Sequence, residues 1–332
     1  MSVSPPTEAA ADHVAALRHR IDDALPALVA EREPAVLYEP VQYVLEGGGK
    51  RVRPTLLLLV AEAFGCSVDR ALPAALAVEV FHNFTLVHDD IMDEAEERRG
   101  RPTVHVRWDD GTAILVGDLM MGLSYDLLGQ VEEADVDALY AVYHPMVEQL
   151  CTGQALDASF EEQADVSVDA YLEMIDGKTA ALLSAAFEIG ALLGGASPSA
   201  QQELREAGRL VGRAFQVQDD LLDLTADGED WGKAVGGDLV TGKKTFLTLR
   251  ALERADGAEY EWFARLVTEG GLPPDDVPEA RERMQRLGVF DDAREAVEDY
   301  TAQARDHLQV LPDSRPTDTL HWLLDKMEAR NY

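Results

Sequence analysis

Lysine is scarce in this chain: only six of its 332 residues, and Lys and Arg together reach 29 against 62 Asp and Glu, a formal charge of −33. Without a broad basic surface a protein has nothing with which to release counterions from a phosphate backbone, so nucleic acid is not expected as a partner. Cysteine is almost absent too. Cys66 and Cys151 are the only two and lie far apart; they make neither a disulfide framework nor a zinc site and suit a reducing cytoplasm. The start, MSVSPPTEAAAD, lacks the basic and apolar regions of a signal peptide. No long apolar run is unbroken: the most apolar stretch, Thr179–Ala196, carries Glu188 and reads as a buried core helix, so no stable membrane insertion is expected. No G-x-x-x-x-G-K-[ST] loop and no G-x-G-x-x-G turn occurs, which excludes P-loop and dinucleotide sites.

The residues that are present argue for a packed acidic protein. At 46% hydrophobic residues the chain can bury a sizeable core. Its acidic, lysine-poor composition suits molar salt, where a Debye length of about 3 Å screens self-repulsion. Sustained period-2 alternation is missing, whereas apolar residues recur at helical spacing. The spacing predicts helices over Val14–Leu28, Leu56–Phe64, Ala74–Met92, Thr112–Leu128, Leu139–Leu150, Ala170–Leu193, Gln201–Leu222, Phe246–Ala255, Tyr260–Val267 and Arg294–Leu311. Gly, Pro and Asp clusters punctuate them and no long linker divides them, so we expect an all-α protein with one domain, 1–332.

Two segments echo each other: Leu86-Val87-His88-Asp89-Asp90-Ile91-Met92-Asp93 and Gln216-Val217-Gln218-Asp219-Asp220-Leu221-Leu222-Asp223. Both are D-D-x-x-D. Residues four apart share a helix face, so Asp89 stands beside Asp93 and Asp219 beside Asp223. Like charges on one face need cations, and hard oxygen ligands completed by substrate phosphates suit Mg²⁺. Four other Asp-Asp pairs, at Asp22, Asp109, Asp275 and Asp291, are the control. Those at Asp275 and Asp291 lie in polar or proline-bearing surroundings and read as solvated helix starts or loops. The two D-D-x-x-D clusters lie inside apolar helices.

Five of the six lysines sit in short glycine- or threonine-marked segments: Gly49-Lys50-Arg51-Val52-Arg53, Gly177-Lys178-Thr179, Gly232-Lys233 and Gly242-Lys243-Lys244-Thr245. Arg98-Arg99-Gly100 follows the first aspartate cluster. Lys and Arg approached by flexible glycine grip phosphate oxygens, Arg through its bidentate fork. Several such segments beside two Mg²⁺ clusters imply a polyphosphate-like ligand, and more than one.

The segments GGGKRVRP, HNFTLVHDDIMDEAEERRGRPT, GQALD, GKTAAL, FQVQDDLLD and GKAVGGDLVTGKKT stand in this order. In them the chain resembles the trans-polyprenyl diphosphate synthases of the short-chain, archaeal type, from about Tyr43 to Thr245 and more weakly beyond. The resemblance implies an isoprenoid-synthase-type helical bundle around a central cavity, a homodimer, and Mg²⁺-dependent condensation of isopentenyl diphosphate with dimethylallyl, geranyl or farnesyl diphosphate. It also implies residue roles. Asp89 and Asp93, with Asp219 across the cavity, would ligate three Mg²⁺, supported by Asp90, Asp220 and Asp223 as ligands or acceptors. Arg98, Lys178 and Lys233 would contact the allylic diphosphate, with Lys243 nearby. Lys50, Arg53, His82 and Arg99 would bind isopentenyl diphosphate. Thr179 and Gln216 would face the carbocation, and Gln154 and Asp157 would orient Lys178. His88 reads either as a base or as packing.

Product length is expected to be set on the helix bearing Asp89. At 1.5 Å per residue Phe84 lies about 7.5 Å and Phe81 about 12 Å below that carboxylate, with small Thr85 between Phe84 and the cluster. In the family that pattern resembles synthases stopping at twenty carbons, geranylgeranyl diphosphate, with fifteen (farnesyl) or twenty-five (geranylfarnesyl) as alternatives. A terpene cyclase and a non-catalytic subunit of a heteromeric synthase are the other readings. The first normally lacks the second D-D-x-x-D; the second tends to lose motif residues that this chain keeps.

Overall fold

The computed structural model describes residues 6–163, 165–225 and 235–329. Helices dominate, and among the described residues the one sheet is a two-stranded hairpin, Glu97–Arg98 with Arg101–Pro102. Arg99 and Gly100 form its two-residue turn with φ of 55° and 70°, the doubly positive turn that matches strand twist. Lys233 and Arg330–Tyr332 lie outside the described residues.

The chain, read from its sequence as one domain, forms two compact units. One runs to Tyr143 and adds Ala185–Leu204 and Val310–Asp325; the other holds His144–Ser184, Arg205–Gln309 and the chain from Lys326. In the first unit, α1 (Pro6–Ala27), α2 (Ala35–Leu45), α3 (Val52–Ala63), α4 (Val68–Met92), α5 (Val104–Arg107) and α6 (Asp110–Gly129) follow in order. Ser67 caps α4 by accepting from Arg70 N at 3.4 Å, and Asp109 caps α6 by accepting from Thr112 N at 2.8 Å, as short polar side chains do at helix starts. Leu56–Ala61 of α3 is buried all round, and so is most of α4 from Ala74 to Phe84. Gly190 and Gly194 let α9 (Ala181–Leu193) and the turn after it approach α3: a Cβ on Gly190 would meet Leu57 O at 2.6 Å.

The second unit contains α8 (Val168–Ile175), a π-helical turn (Asp176–Ala180), most of α10 (Pro198–Thr225) and the helices Phe246–Arg254, Gly257–Thr268, Val277–Leu287 and Val289–His307. Phe246, Phe263, Met284, Phe290 and Val297 are among its core. α7 (Val136–Glu162) and α9 each contribute residues to both units, which divide α7 after Tyr143 and α9 after Ser184.

The structure departs from the periodicity in three instructive places. α7 continues twelve residues past the expected Leu150, through Gly153. Val277–Leu287 is a helix although Pro278 stands in it, because proline is tolerated in the first turn. Asp292, expected to be solvated, is a half-hidden anchor: its carboxylate accepts from Arg250 at 2.9 Å and from Arg254.

Candidate active site

The first aspartate cluster ends α4. Asp89 is half-buried, Asp93 is the exposed C-cap, and Asp90 is buried. Asp90 accepts from Arg98 Nε at 2.6 Å; burial still raises its pKa, and Arg98 opposes that. The expected carboxylates therefore differ in surroundings, and the Asp90–Arg98 ion pair joins the acidic cluster to the basic one.

The basic cluster is built by glycine geometry. Gly48 and Gly49 have φ of 69° and 145°; a Cβ on Gly49 would press on the Arg99 guanidinium at 3.0 Å. Arg99 donates to Gly48 O and is thereby laid against the loop that precedes α3. Arg53 donates from Nη1 to His82 Nε2 at 3.2 Å. His82 must accept through that nitrogen, because a guanidinium has no acceptor. Burial, and then Arg53, Arg99 and Arg98, hold the His82 pKa well below the ordinary imidazole range. His82 thus braces Arg53 as a neutral ring. Lys50 is exposed. Arg51, which carries no expected role, is buried: it donates to Glu79 at 2.6 Å and to Asp22 at 2.8 Å. A buried glutamate in an otherwise apolar stretch of α4 was the signal for this pair.

Below the cluster α4 carries a stack of rings. Phe84 meets His88 at 4.9 Å and Phe81 at 5.1 Å between centroids, and Phe81 meets Tyr143 at 5.6 Å, all edge to face. Phe81 and Tyr143 are fully buried. Thr85 donates to His82 O at 2.8 Å. His88 Nε2 lies 3.3 Å from Ile114 O, so the ring is packed between α4 and α6.

The second cluster ends α10. Asp219 is half-buried, while Asp220 and Asp223 are buried. Asp223 Oδ2 accepts from Asp238 N at 3.3 Å. Asp220 accepts from Tyr171 Oη at 2.6 Å, Phe246 N at 3.0 Å and Gln216 Nε2 at 3.0 Å. Burial pushes its pKa up to about 7, and these three donors pull against that. Gln216 Oε1 in turn accepts from Thr179 Oγ1 at 3.0 Å.

Thr179 and Lys178 stand on the π turn, whose extra residue redirects them relative to an α-helix. Backbone contact shapes this turn: a Cβ on Gly153 or Gly177 would collide with the facing main chain of the other, and one on Gly212 with Ala180. Asp176, at the start of the turn, accepts from Arg213 Nη2 at 2.6 Å and Arg209 Nη1 at 3.1 Å. Lys178 Nζ pairs with Asp157. Gln154 lies one residue beyond Gly153 on α7. Lys243 is exposed, whereas Lys244 is buried and donates to Glu161 O at 3.3 Å. Neither Tyr171 nor the Asp176 anchor was visible in the sequence, since each depends on partners 33 to 49 residues away.

Among the described residues, no group of three or more His, Cys, Asp or Glu side chains is gathered closely enough to hold an ion alone. That donor set, carboxylates in ones and twos on helix ends, fits Mg²⁺, which keeps few protein ligands and takes the rest from phosphate and water.

The comparisons agree with this architecture. The polyprenyl synthetase family model matches residues 34–284. A geranylgeranyl diphosphate synthase of Methanosarcina mazei is 39% identical, over 94% of this chain and 95% of its own. A geranylfarnesyl diphosphate synthase of Natronomonas pharaonis is 38% identical, over 97% and 99%. The crystal structure of a geranylgeranyl pyrophosphate synthetase from Pyrococcus horikoshii superposes with a TM-score of 0.90 at 37% identity, covering 96% of this chain and 99% of that one. With two aspartate-ended helices, a glycine-shaped arginine grip and a family model spanning both units, the chain belongs to the polyprenyl synthetase family.

Proposed function

We propose that this protein condenses isopentenyl diphosphate with allylic diphosphates, head to tail, and stops mainly at geranylgeranyl diphosphate. The observation that carries the proposal is the Asp90–Arg98 ion pair at 2.6 Å. It sets a carboxylate cluster against an arginine cluster, and diphosphate oxygens satisfy both kinds of group at once.

Asp89 and Asp93 on α4, and Asp219 on α10, would hold Mg²⁺, three ions with diphosphate bound, and the metal would supply neutralisation of the charge on the leaving diphosphate. Arg98, Lys178, Lys233 and Lys243 neutralise the same leaving group. Lys50, Arg53 and Arg99 hold isopentenyl diphosphate, with His82 bracing Arg53. Thr179 and Gln216 offer oxygen dipoles to the allylic carbon as positive charge develops there. The departing diphosphate takes the proton released when the new bond forms. The apolar wall below α4's carboxylates keeps water from the cation.

Phe84 is the floor for a twenty-carbon tail, with Phe81 beneath it. The likeness to the geranylfarnesyl synthase keeps twenty-five carbons as the second reading. We treat the chain as one synthase domain, because one family model spans residues of both units. Asp110–Gly129 is the one described helix long and apolar enough to cross a membrane, with 44% of its most apolar 18 residues buried. Its Ile114 and Leu115 are 47% and 60% exposed, and a second copy of the chain covers them in a cytoplasmic homodimer adapted to high salt.

The test is incubation with Mg²⁺, isopentenyl diphosphate and each allylic primer in molar KCl, followed by mass identification of the dephosphorylated alcohols. A twenty-carbon alcohol supports the proposal. Fifteen or twenty-five carbons keeps the chemistry and moves the floor. Substrate binding without turnover overturns the proposal in favour of a non-catalytic subunit.

A further inference from the structure

Tyr171 has no place in the roles above, yet its hydroxyl is committed. It is buried at the start of α8 and donates to Asp220 Oδ2 at 2.6 Å. Phe246 N donates to the same oxygen at 3.0 Å. Gln216 Nε2 donates to the other oxygen at 3.0 Å. Three donors from three elements thus converge on one carboxylate.

The consequence falls on Gln216. A side-chain amide can present either oxygen or nitrogen, and near a developing cation the two are opposite in sign. Gln216 Nε2 donates to Asp220 Oδ1, and an ionised carboxylate only accepts, so ionised Asp220 holds the Gln216 NH₂ toward itself. The amide oxygen is left on the other side, where Thr179 Oγ1 donates to it at 3.0 Å. Thr179 has then spent its proton and presents lone pairs outward. The relay runs Tyr171 to Asp220 to Gln216 to Thr179, all within one unit.

We infer that Tyr171 is a positioning residue: through Asp220 it fixes Gln216 and Thr179 with their oxygens toward the reacting carbon, and Asp220 serves this brace rather than the metal. The inference rests on the proposed facing of Gln216 and Thr179 toward the allylic carbon. Removing the Tyr171 hydroxyl leaves Oδ2 with the Phe246 amide alone, the carboxylate is free to turn, and the Gln216 amide can flip.

The experiment compares the native enzyme, Tyr171→Phe, Gln216→Ala and the double variant, measuring kcat, KM for isopentenyl diphosphate and the half-saturating Mg²⁺ concentration. Tyr171→Phe should lower kcat about tenfold, the effect of one hydrogen bond at the transition state, with KM and half-saturating Mg²⁺ unchanged. In the Gln216→Ala background the same substitution should change kcat no further. An equal loss in both backgrounds, or a raised Mg²⁺ requirement, overturns the brace. Gln216→Ala with native kcat overturns instead the reading of Gln216 as facing the cation. Should Tyr171→Phe fail to fold, Asp220→Asn is put through the same cycle: loss that vanishes in the Gln216→Ala background supports the brace, and a raised Mg²⁺ requirement overturns it.

Discussion

His88 occupies the space that a side chain at Gly117 would need: a Cβ there would overlap the imidazole ring. α6 lies against α4 at this point only because position 117 has no side chain. His88 is pinned in turn against Phe84, 4.9 Å away. Gly117→Ala should therefore behave as an overpacked core substitution, losing about 1–3 kcal/mol. Urea unfolding is the check, and an unchanged midpoint would show that His88 moves freely.

The ring stack makes product length a graded property. Phe84→Ser removes the first ring and leaves Phe81, whose centroid is 5.1 Å further on. The alcohols from this variant should be longer than twenty carbons, and Phe81→Ala added to it should lengthen them again. An unchanged distribution in the single variant would take the floor away from Phe84.

Gly153 faces the π turn main chain to main chain, so any side chain there must push Lys178 and Thr179. Gly153→Ala should cost kcat about a hundredfold, as small misplacements of catalytic groups do. Circular dichroism should remain that of the native fold. A variant with native kcat would mean that the turn tolerates the shift.

His82 is held neutral in the fold, with a pKa well below the ordinary 6.5. Below that pH the unfolded chain binds a proton that the folded one refuses. Stability accordingly rises with pH through the window under 6.5 and levels off above it. Replacing His82 by Gln should flatten this part of the curve. The measurement is the difference in urea midpoint between native and variant protein from pH 5 to pH 8; parallel curves would show that His82 is protonated as readily in the fold.

Ile114 and Leu115 are large apolar side chains exposed side by side on α6. Leu115→Glu should convert a dimer to monomers in molar KCl, read by light scattering. A monomeric native protein, or a variant that stays dimeric, would remove this face from the assembly.

The helices and both aspartate clusters were legible because apolar period and D-D-x-x-D spacing are local properties of the chain. So was the concentration of lysine and arginine in glycine-marked segments. Spacing alone also put Asp89 with Asp93 and Phe84 below them. What no local pattern could convey is which member of each motif is already engaged. Asp90 and Asp220 read like their neighbours, yet Arg98 and Tyr171 claim them in the fold. Likewise Arg51 and Lys244, adjacent to expected phosphate ligands, are turned inward to Glu79 and Glu161. The π turn at Asp176–Ala180 is of the same kind: residues 170–193 read as one helix, and only the approach of Gly153 to Gly177, with Arg209 and Arg213 on Asp176, diverts it. Sequence determined which acidic, basic and polar side chains the motifs carry and how they are spaced, since those depend on residue type and helical period. Tertiary structure decided which of them are spent on one another, because burial and partners come from segments far apart in the chain.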